Sequence, residues 1–122
     1  MIPMFRPSSD VSNVYLCKDS VDMRKSINGL SILVQDALSL NPFSPSLFVF
    51  IHRKKDKLKI LYWENNGFCL WYKRLEKDRF HWPKQLNEDQ PTLTGQELNW
   101  LLDGYDLNQM KKHEKLTYHT VS

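Results

Sequence analysis

Leu58, Ile60 and Tyr62 alternate with Lys59, Leu61 and Trp63, and Phe68, Leu70 and Tyr72 alternate with Cys69, Trp71 and Lys73. A period of two is the mark of a β-strand. Between the two runs, Glu64-Asn65-Asn66-Gly67 supplies residues that tolerate the positive φ of a tight turn. Residues 57–75 therefore read as a hairpin with large apolar side chains on both faces. One face needs a core, and the other a helix, a partner or a ligand. Upstream, residues 47–52 (LFVFIH) are apolar almost throughout, which predicts a central strand covered on both sides. Arg53-Lys54-Lys55-Asp56 joins that strand to the hairpin, so residues 47–75 are expected to form a three-stranded antiparallel meander. Phe80-His81-Trp82-Pro83 reads as a short edge segment, with Pro83 preventing further pairing.

A different period precedes the meander. Met23, Ile27, Leu30, Val34 and Leu38 recur at helical spacing, widened by Leu33 and Ala37, which predicts one long amphipathic helix. Asp19, Ser20 or Asp22 is its expected cap, and Asn41-Pro42 ends it. Gly29, in its middle, is expected to mark the close approach of another backbone. Residues 13–18 (NVYLCK) form a short strand candidate. Near the far end, Thr94-Gly95-Gln96-Glu97 has the form of a capping box and opens a short helix carrying Leu98, Leu101 and Leu102 and stopping at Gly104. The fold class is α+β: an antiparallel meander packed against one long helix, with a short C-terminal helix. Residues 13–104 are expected to be a single domain, 1–12 a flexible segment and 105–122 a mobile tail.

Composition changes this picture mainly through charge. The 122 residues suffice for one domain and one core. No apolar run reaches membrane-spanning length, and the N-terminus lacks a signal-peptide core, so a cytoplasmic protein with no membrane partner is expected. Two distant cysteines, Cys17 and Cys69, fit reduced thiols. The net charge is only +3, but residues 52–84 hold ten Lys/Arg against four acids, whereas residues 85–110 hold five acids and no Lys or Arg. A basic middle beside an acidic end suggests two surfaces with different partners, or one surface that pairs with itself. Lys57, Lys59, Lys73, Arg74, Lys77 and Arg79 are interleaved with aromatics, as in surfaces that track phosphates and stack on bases. The same lysines would also serve to protect strand edges.

Several stretches together resemble a known family. They are Val14-Tyr15-Leu16, Asp22-Met23-Arg24-Lys25 with Asn28-Gly29-Leu30, Pro42-Phe43-Ser44, Leu47-Phe48-Val49-Phe50, and Lys59-Ile60-Leu61-Tyr62-Trp63. Gly67-Phe68, Tyr72-Lys73-Arg74-Leu75-Glu76, Phe80 with Trp82-Pro83, and Leu98 with Leu101-Leu102-Asp103-Gly104 complete the set. In this order and spacing the chain is similar to the TnpB accessory proteins of the insertion sequence 66 family of bacterial transposable elements, which are unrelated to the RNA-guided nuclease of that name. Lys77-Asp78 and Lys18-Asp19-Ser20 stand where the family usually has a turn glycine. The resemblance implies a role in DNA transposition beside a separate, larger transposase that carries the catalytic acids.

The residues themselves suggest no enzyme. Transposase chemistry needs carboxylates converging on two metal ions, whereas Asp22, Asp56, Glu64, Asp78 and Glu97 fall in turns and at helix ends. Tyr15, Tyr62 and Tyr72 read as sheet tyrosines rather than nucleophiles. His52, His81, His113, His119 and the cysteines lack metal-ligand spacing. No catalytic site, metal or cofactor is expected. The candidate nucleic-acid-binding residues are Arg24, Lys25, Arg53, Lys54, Lys55, Lys57, Lys59, Lys73 and Arg74. Trp63, Trp71 and Trp82 are candidates for stacking or partner contact. The expected function is a non-catalytic accessory protein assisting the element-encoded transposase at element DNA. The alternative is a protein-interaction module that never touches nucleic acid. A further copy of the chain, as a homo-oligomer, is another candidate partner.

Overall fold

The computed structural model describes residues 13–83 and 91–109. Strand β1 (Val14–Leu16) leads through helix α1 (Ile27–Asp36) to β2 (Leu47–Ile51). β3 (Lys57–Glu64) and β4 (Gly67–Arg74) follow, then β5 (Thr92–Leu93) and helix α2 (Gly95–Leu102). The strands form one sheet in the order β4-β3-β2-β1-β5. β2–β3, β3–β4 and β1–β5 pair antiparallel, whereas β1 and β2 run parallel.

The fold is α+β, and its sheet is mixed and five-stranded rather than a purely antiparallel meander. The expected short edge segment, residues 80–83, is not a strand. Phe80 and Trp82 turn inward and are buried, and the Phe80 N–H donates to the Lys55 carbonyl at 2.7 Å. β5 takes the place at the far edge, beyond β1.

β2 is the central strand, buried at all five positions. Its alternation divides two cores between the faces of the sheet. On one face Leu47, Val49 and Ile51 join Val14, Leu16, Leu58, Ile60, Phe80 and the α2 residues Leu98, Leu101 and Leu102. On the other, Phe48 and Phe50 meet Leu61 of β3 and Leu30 and Val34 of α1. Each helix therefore covers one face.

Helix α1 has ten residues and begins at Ile27, later than its apolar stripe suggests. The chain still runs beside β2 as far as Val21, whose N–H donates to the Ile51 carbonyl at 2.9 Å. A turn follows, in which the Asp22 carboxylate accepts the Arg24 N–H rather than capping a helix. The Lys59 ammonium donates to the carbonyls of Met23 and Lys25. Ser26 occupies the cap position without a side-chain bond. The helix closes early too, with Ser39 at φ 54°. Gly29 faces no second backbone, because a Cβ built there would meet only the Lys25 side chain at 3.5 Å.

The second helix follows its sequence signal. Thr94 Oγ1 accepts from the Glu97 N–H, and Glu97 Oε1 accepts from the Thr94 N–H. Gly104 lies just beyond the helix end at φ 97°. The core also takes in Leu107, so packing continues past the expected boundary at residue 104. The rest of the expected tail, the 1–12 segment and residues 84–90 lie outside the described residues.

Candidate nucleic-acid interface

Strand direction decides where the cations collect. β2 ends at Ile51, β3 begins at Lys57 and β4 ends at Arg74, so all three meet at one end of the sheet. β1 is parallel to β2 and delivers the 22–25 turn to the same end, where Lys59 holds it at 2.8 and 2.9 Å. Eight of the nine predicted cations thus belong to one pole: Arg24, Lys25, Arg53, Lys54, Lys55, Lys57, Lys59 and Arg74. The Leu75 N–H donates to the Asp56 carbonyl, and the Phe80 N–H to the Lys55 carbonyl. These bonds bring exposed Lys77 and Arg79 beside the pole as well. Both cations were visible in the sequence, but only the fold of 75–80 back onto the turn reveals their location.

The ninth cation belongs elsewhere. Lys73 lies opposite Leu58 in the ladder, on the α2 face, and its ammonium donates to the Leu102 carbonyl at 2.9 Å. There it supplies positive charge at the C-terminal end of a helix that has no basic residue in its last turn.

Within the pole the cations differ in how far they are already neutralised. Arg24 forms a two-pronged pair with Asp22, Nε and Nη2 both donating, the shortest contact being 2.7 Å. This guanidinium, with the Arg24 N–H, holds the Asp22 carboxyl down at about 2. Arg74 pairs with Glu76 at 2.9 Å, and Lys57 with Asp56 at 3.3 Å. Desolvation pushes the Asp56 carboxyl up, but Lys57, a backbone N–H and His52 together hold it below its ordinary value. Lys59 is committed to backbone carbonyls and lies 5.7 Å from the Tyr72 ring centre. Lys25, Arg53, Lys54 and Lys55 are exposed and, among the described residues, form no ion pair. Three of these four are consecutive in the β2–β3 turn.

That turn is built to hold its side chains outward. The His52 N–H donates to the Lys57 carbonyl, and the Lys55 N–H to the His52 carbonyl. The Lys54 N–H donates to His52 Nδ1 at 3.2 Å, and Lys55 takes a left-handed φ of 62°.

The predicted aromatic platform does not accompany the cations. Trp82 is buried in the α2-side core, and Trp71 packs against that core. Trp63 lies toward the opposite end of β3, roughly 20 Å from Lys57 at about 3.4 Å per residue. There it meets Phe43 and Phe68 edge-on, with both ring centres at 5.0 Å. Phe43 is half exposed. The described charges nearest this aromatic end in sequence, Asp36 and Glu64, are acidic. Exposed Tyr72 is the aromatic side chain beside the cations. Alternation along the hairpin thus interleaves the two residue types in sequence, but the fold sends them to different ends and faces.

A family model described as IS66 Orf2 like protein matches residues 12–112. The chain belongs to this family. Family membership assigns it to insertion-sequence transposition. Among curated proteins it is 35% identical over 100 residues to uncharacterized protein y4hO of Sinorhizobium fredii, covering 82% of this chain and 86% of that one. It is 30% identical over 109 residues to uncharacterized protein y4jC of the same organism, covering 89% and 92% respectively. No solved structure matches. Among the described residues no group of three His, Cys, Asp or Glu side chains is placed to hold a metal ion, and no helix is long and apolar enough to cross a membrane.

Proposed function

We propose that this chain is a non-catalytic accessory factor of transposition that engages element DNA through the cationic end of its sheet, while a separate transposase performs the chemistry. The supporting observation is the convergence of cations from four separate segments on one pole, with Lys25, Arg53, Lys54 and Lys55 forming no ion pair among the described residues. Such a surface binds phosphates by releasing their counterions, so the binding weakens steeply with salt. Lys59 and Lys73 act within the fold, and the phosphate-facing set narrows to Lys25, Arg53, Lys54 and Lys55, flanked by Lys77 and Arg79.

Fluorescence anisotropy of the purified chain on labelled element-end and scrambled duplexes tests this reading. Binding should occur, and Arg53→Gln with Lys54→Gln and Lys55→Gln should weaken it at least tenfold with the fold intact. Absence of binding at low salt would reject the reading. Preference for element ends over scrambled duplex would add end recognition to it.

A second reading rests on the opposite pole. The Phe43–Trp63–Phe68 cluster is solvent-accessible at Phe43, and the described charges nearest it in sequence, Asp36 and Glu64, are acidic, which suits an apolar, cationic protein segment better than DNA. In this reading the transposase docks there, and Phe43→Ser should weaken co-purification with the transposase without altering DNA affinity.

A further inference from the structure

β4 is an outer strand of the sheet, eight residues long and in unbroken register with β3. The Leu75 N–H donates to the carbonyl of Asp56, its opposite neighbour, and this bond fixes the phase of the antiparallel ladder. Residues 67, 69, 71 and 73 exchange backbone bonds with β3, so Phe68, Leu70, Tyr72 and Arg74 direct their N–H and C=O groups outward. Among the described residues no backbone group pairs with those four.

The other edge of the sheet is blunted. β5 is two residues long and follows Pro91. Shortness, proline, bulges and charge are the usual defences of a strand edge. β4 has neither the first three nor charge along most of its length: its cations, Lys73 and Arg74, sit at one end of an otherwise apolar and aromatic strand. From Phe68 to Trp71 every side chain is half-buried, and Tyr72 is exposed.

We propose that β4 pairs antiparallel with β4 of a second copy, across a two-fold axis at Trp71, to make one continuous sheet. Charge selects a second copy in this orientation. Parallel pairing would set Lys73 and Arg74 beside their own duplicates, whereas antiparallel pairing carries them to the cation-free end of the other strand. The backbone phase then selects the register. Phe68 opposite Arg74, and Leu70 opposite Tyr72, is the alignment in which all four outward-facing residues pair among themselves. It sets the Arg74 guanidinium against the Phe68 ring of the second copy, a favourable cation–π arrangement. It also leaves the turn cations Arg53, Lys54 and Lys55 uncovered, so it is independent of the DNA reading.

Sedimentation velocity on the full chain over a wide concentration range should show a monomer–dimer equilibrium. Amide exchange on the wild-type protein reads the register directly. The amides of Phe68, Leu70, Tyr72 and Arg74 should be protected at high concentration and lose protection on dilution, while those of Cys69, Trp71 and Lys73 stay protected throughout. Tyr72→Pro removes an outward N–H but no bond to β3, and it should yield a folded monomer. Trp71→Cys in a Cys17→Ser, Cys69→Ser background should form an interchain disulfide, because position 71 faces itself as a close, non-hydrogen-bonded pair. A wild-type monomer at the highest concentration overturns the proposal, as does a dimer in which the four outward amides exchange freely. Should Tyr72→Pro fail to fold, the wild-type exchange pattern decides alone.

Discussion

Lys59 and Lys73 occupy opposite faces of adjacent strands, and each ties the sheet to the chain covering its own face. Hydrogen bonds from charged donors contribute about 1.5–3 kcal/mol each. Lys59→Met, which strips two carbonyls of their partner, should therefore cost about 2–3 kcal/mol of stability, and Lys73→Met about 1–2 kcal/mol; urea denaturation measures both. In contrast, the exposed turn cations Arg53, Lys54 and Lys55 should change stability by no more than about 0.5 kcal/mol when replaced singly by Gln. In sequence all five residues are cations of one basic stretch, with nothing to tell their roles apart. Their roles separate only when strand parity and distant carbonyls are known, and the nearest of those carbonyls is 29 residues away. Asp22 carries a pH prediction. Its folded pKa of about 2 lies below the ordinary carboxylate value, so the Asp22–Arg24 turn contributes its full stability above about pH 4. That contribution is lost as pH falls toward 2. A carbon-detected carboxyl titration should place the Asp22 midpoint near 2 in the wild type and return it to the ordinary range in Arg24→Ala.

At the scale of elements, legibility followed length and local chemistry. The capping box at Thr94 and Glu97 is a local device, and it forms as its spacing dictates; Thr94→Ala should cost about 1 kcal/mol by thermal or urea melting. β2 announced itself through five consecutive apolar residues that two opposing cores require. The apolar stripe of α1 identified the buried face, since Leu30 and Val34 are its fully buried residues, but overstated the helix at both ends. Tertiary bonds to Val21, Met23 and Lys25 hold the preceding turn outside the helix. β5 is too short to show any period, and its existence depends on β1. Gly29 offers a clean test of the helix interior. Ordinary van der Waals contact with the Lys25 side chain at its Cβ position, with no clash, predicts that Gly29→Ala stabilises the protein by about 0.5–1 kcal/mol, whereas destabilisation would reveal a packing constraint there.

Across the whole molecule, the sheet separates two chemistries that the sequence interleaves. Cations gather where β2 meets β3, and the Phe43–Trp63–Phe68 cluster lies at the other end. Charge bias along the chain pointed to a basic surface; which cations share it depended on β1 running parallel to β2, a pairing that period-2 patterns do not encode. The family was legible through the specificity of combined motifs, and the match over residues 12–112 bears it out. Taken together, the DNA contact and the β4 pairing would give a dimer whose two cationic ends point in opposite directions, able to hold two DNA segments at once. The measurement that tests the central claim most directly is the salt dependence of duplex binding for the wild type and for the Arg53→Gln, Lys54→Gln, Lys55→Gln variant. Each phosphate contact contributes roughly 0.9 to the slope of log affinity against log salt. The account predicts that the variant loses roughly 2–3 from that slope. An unchanged slope would contradict it and move the DNA contact, if any, away from this pole.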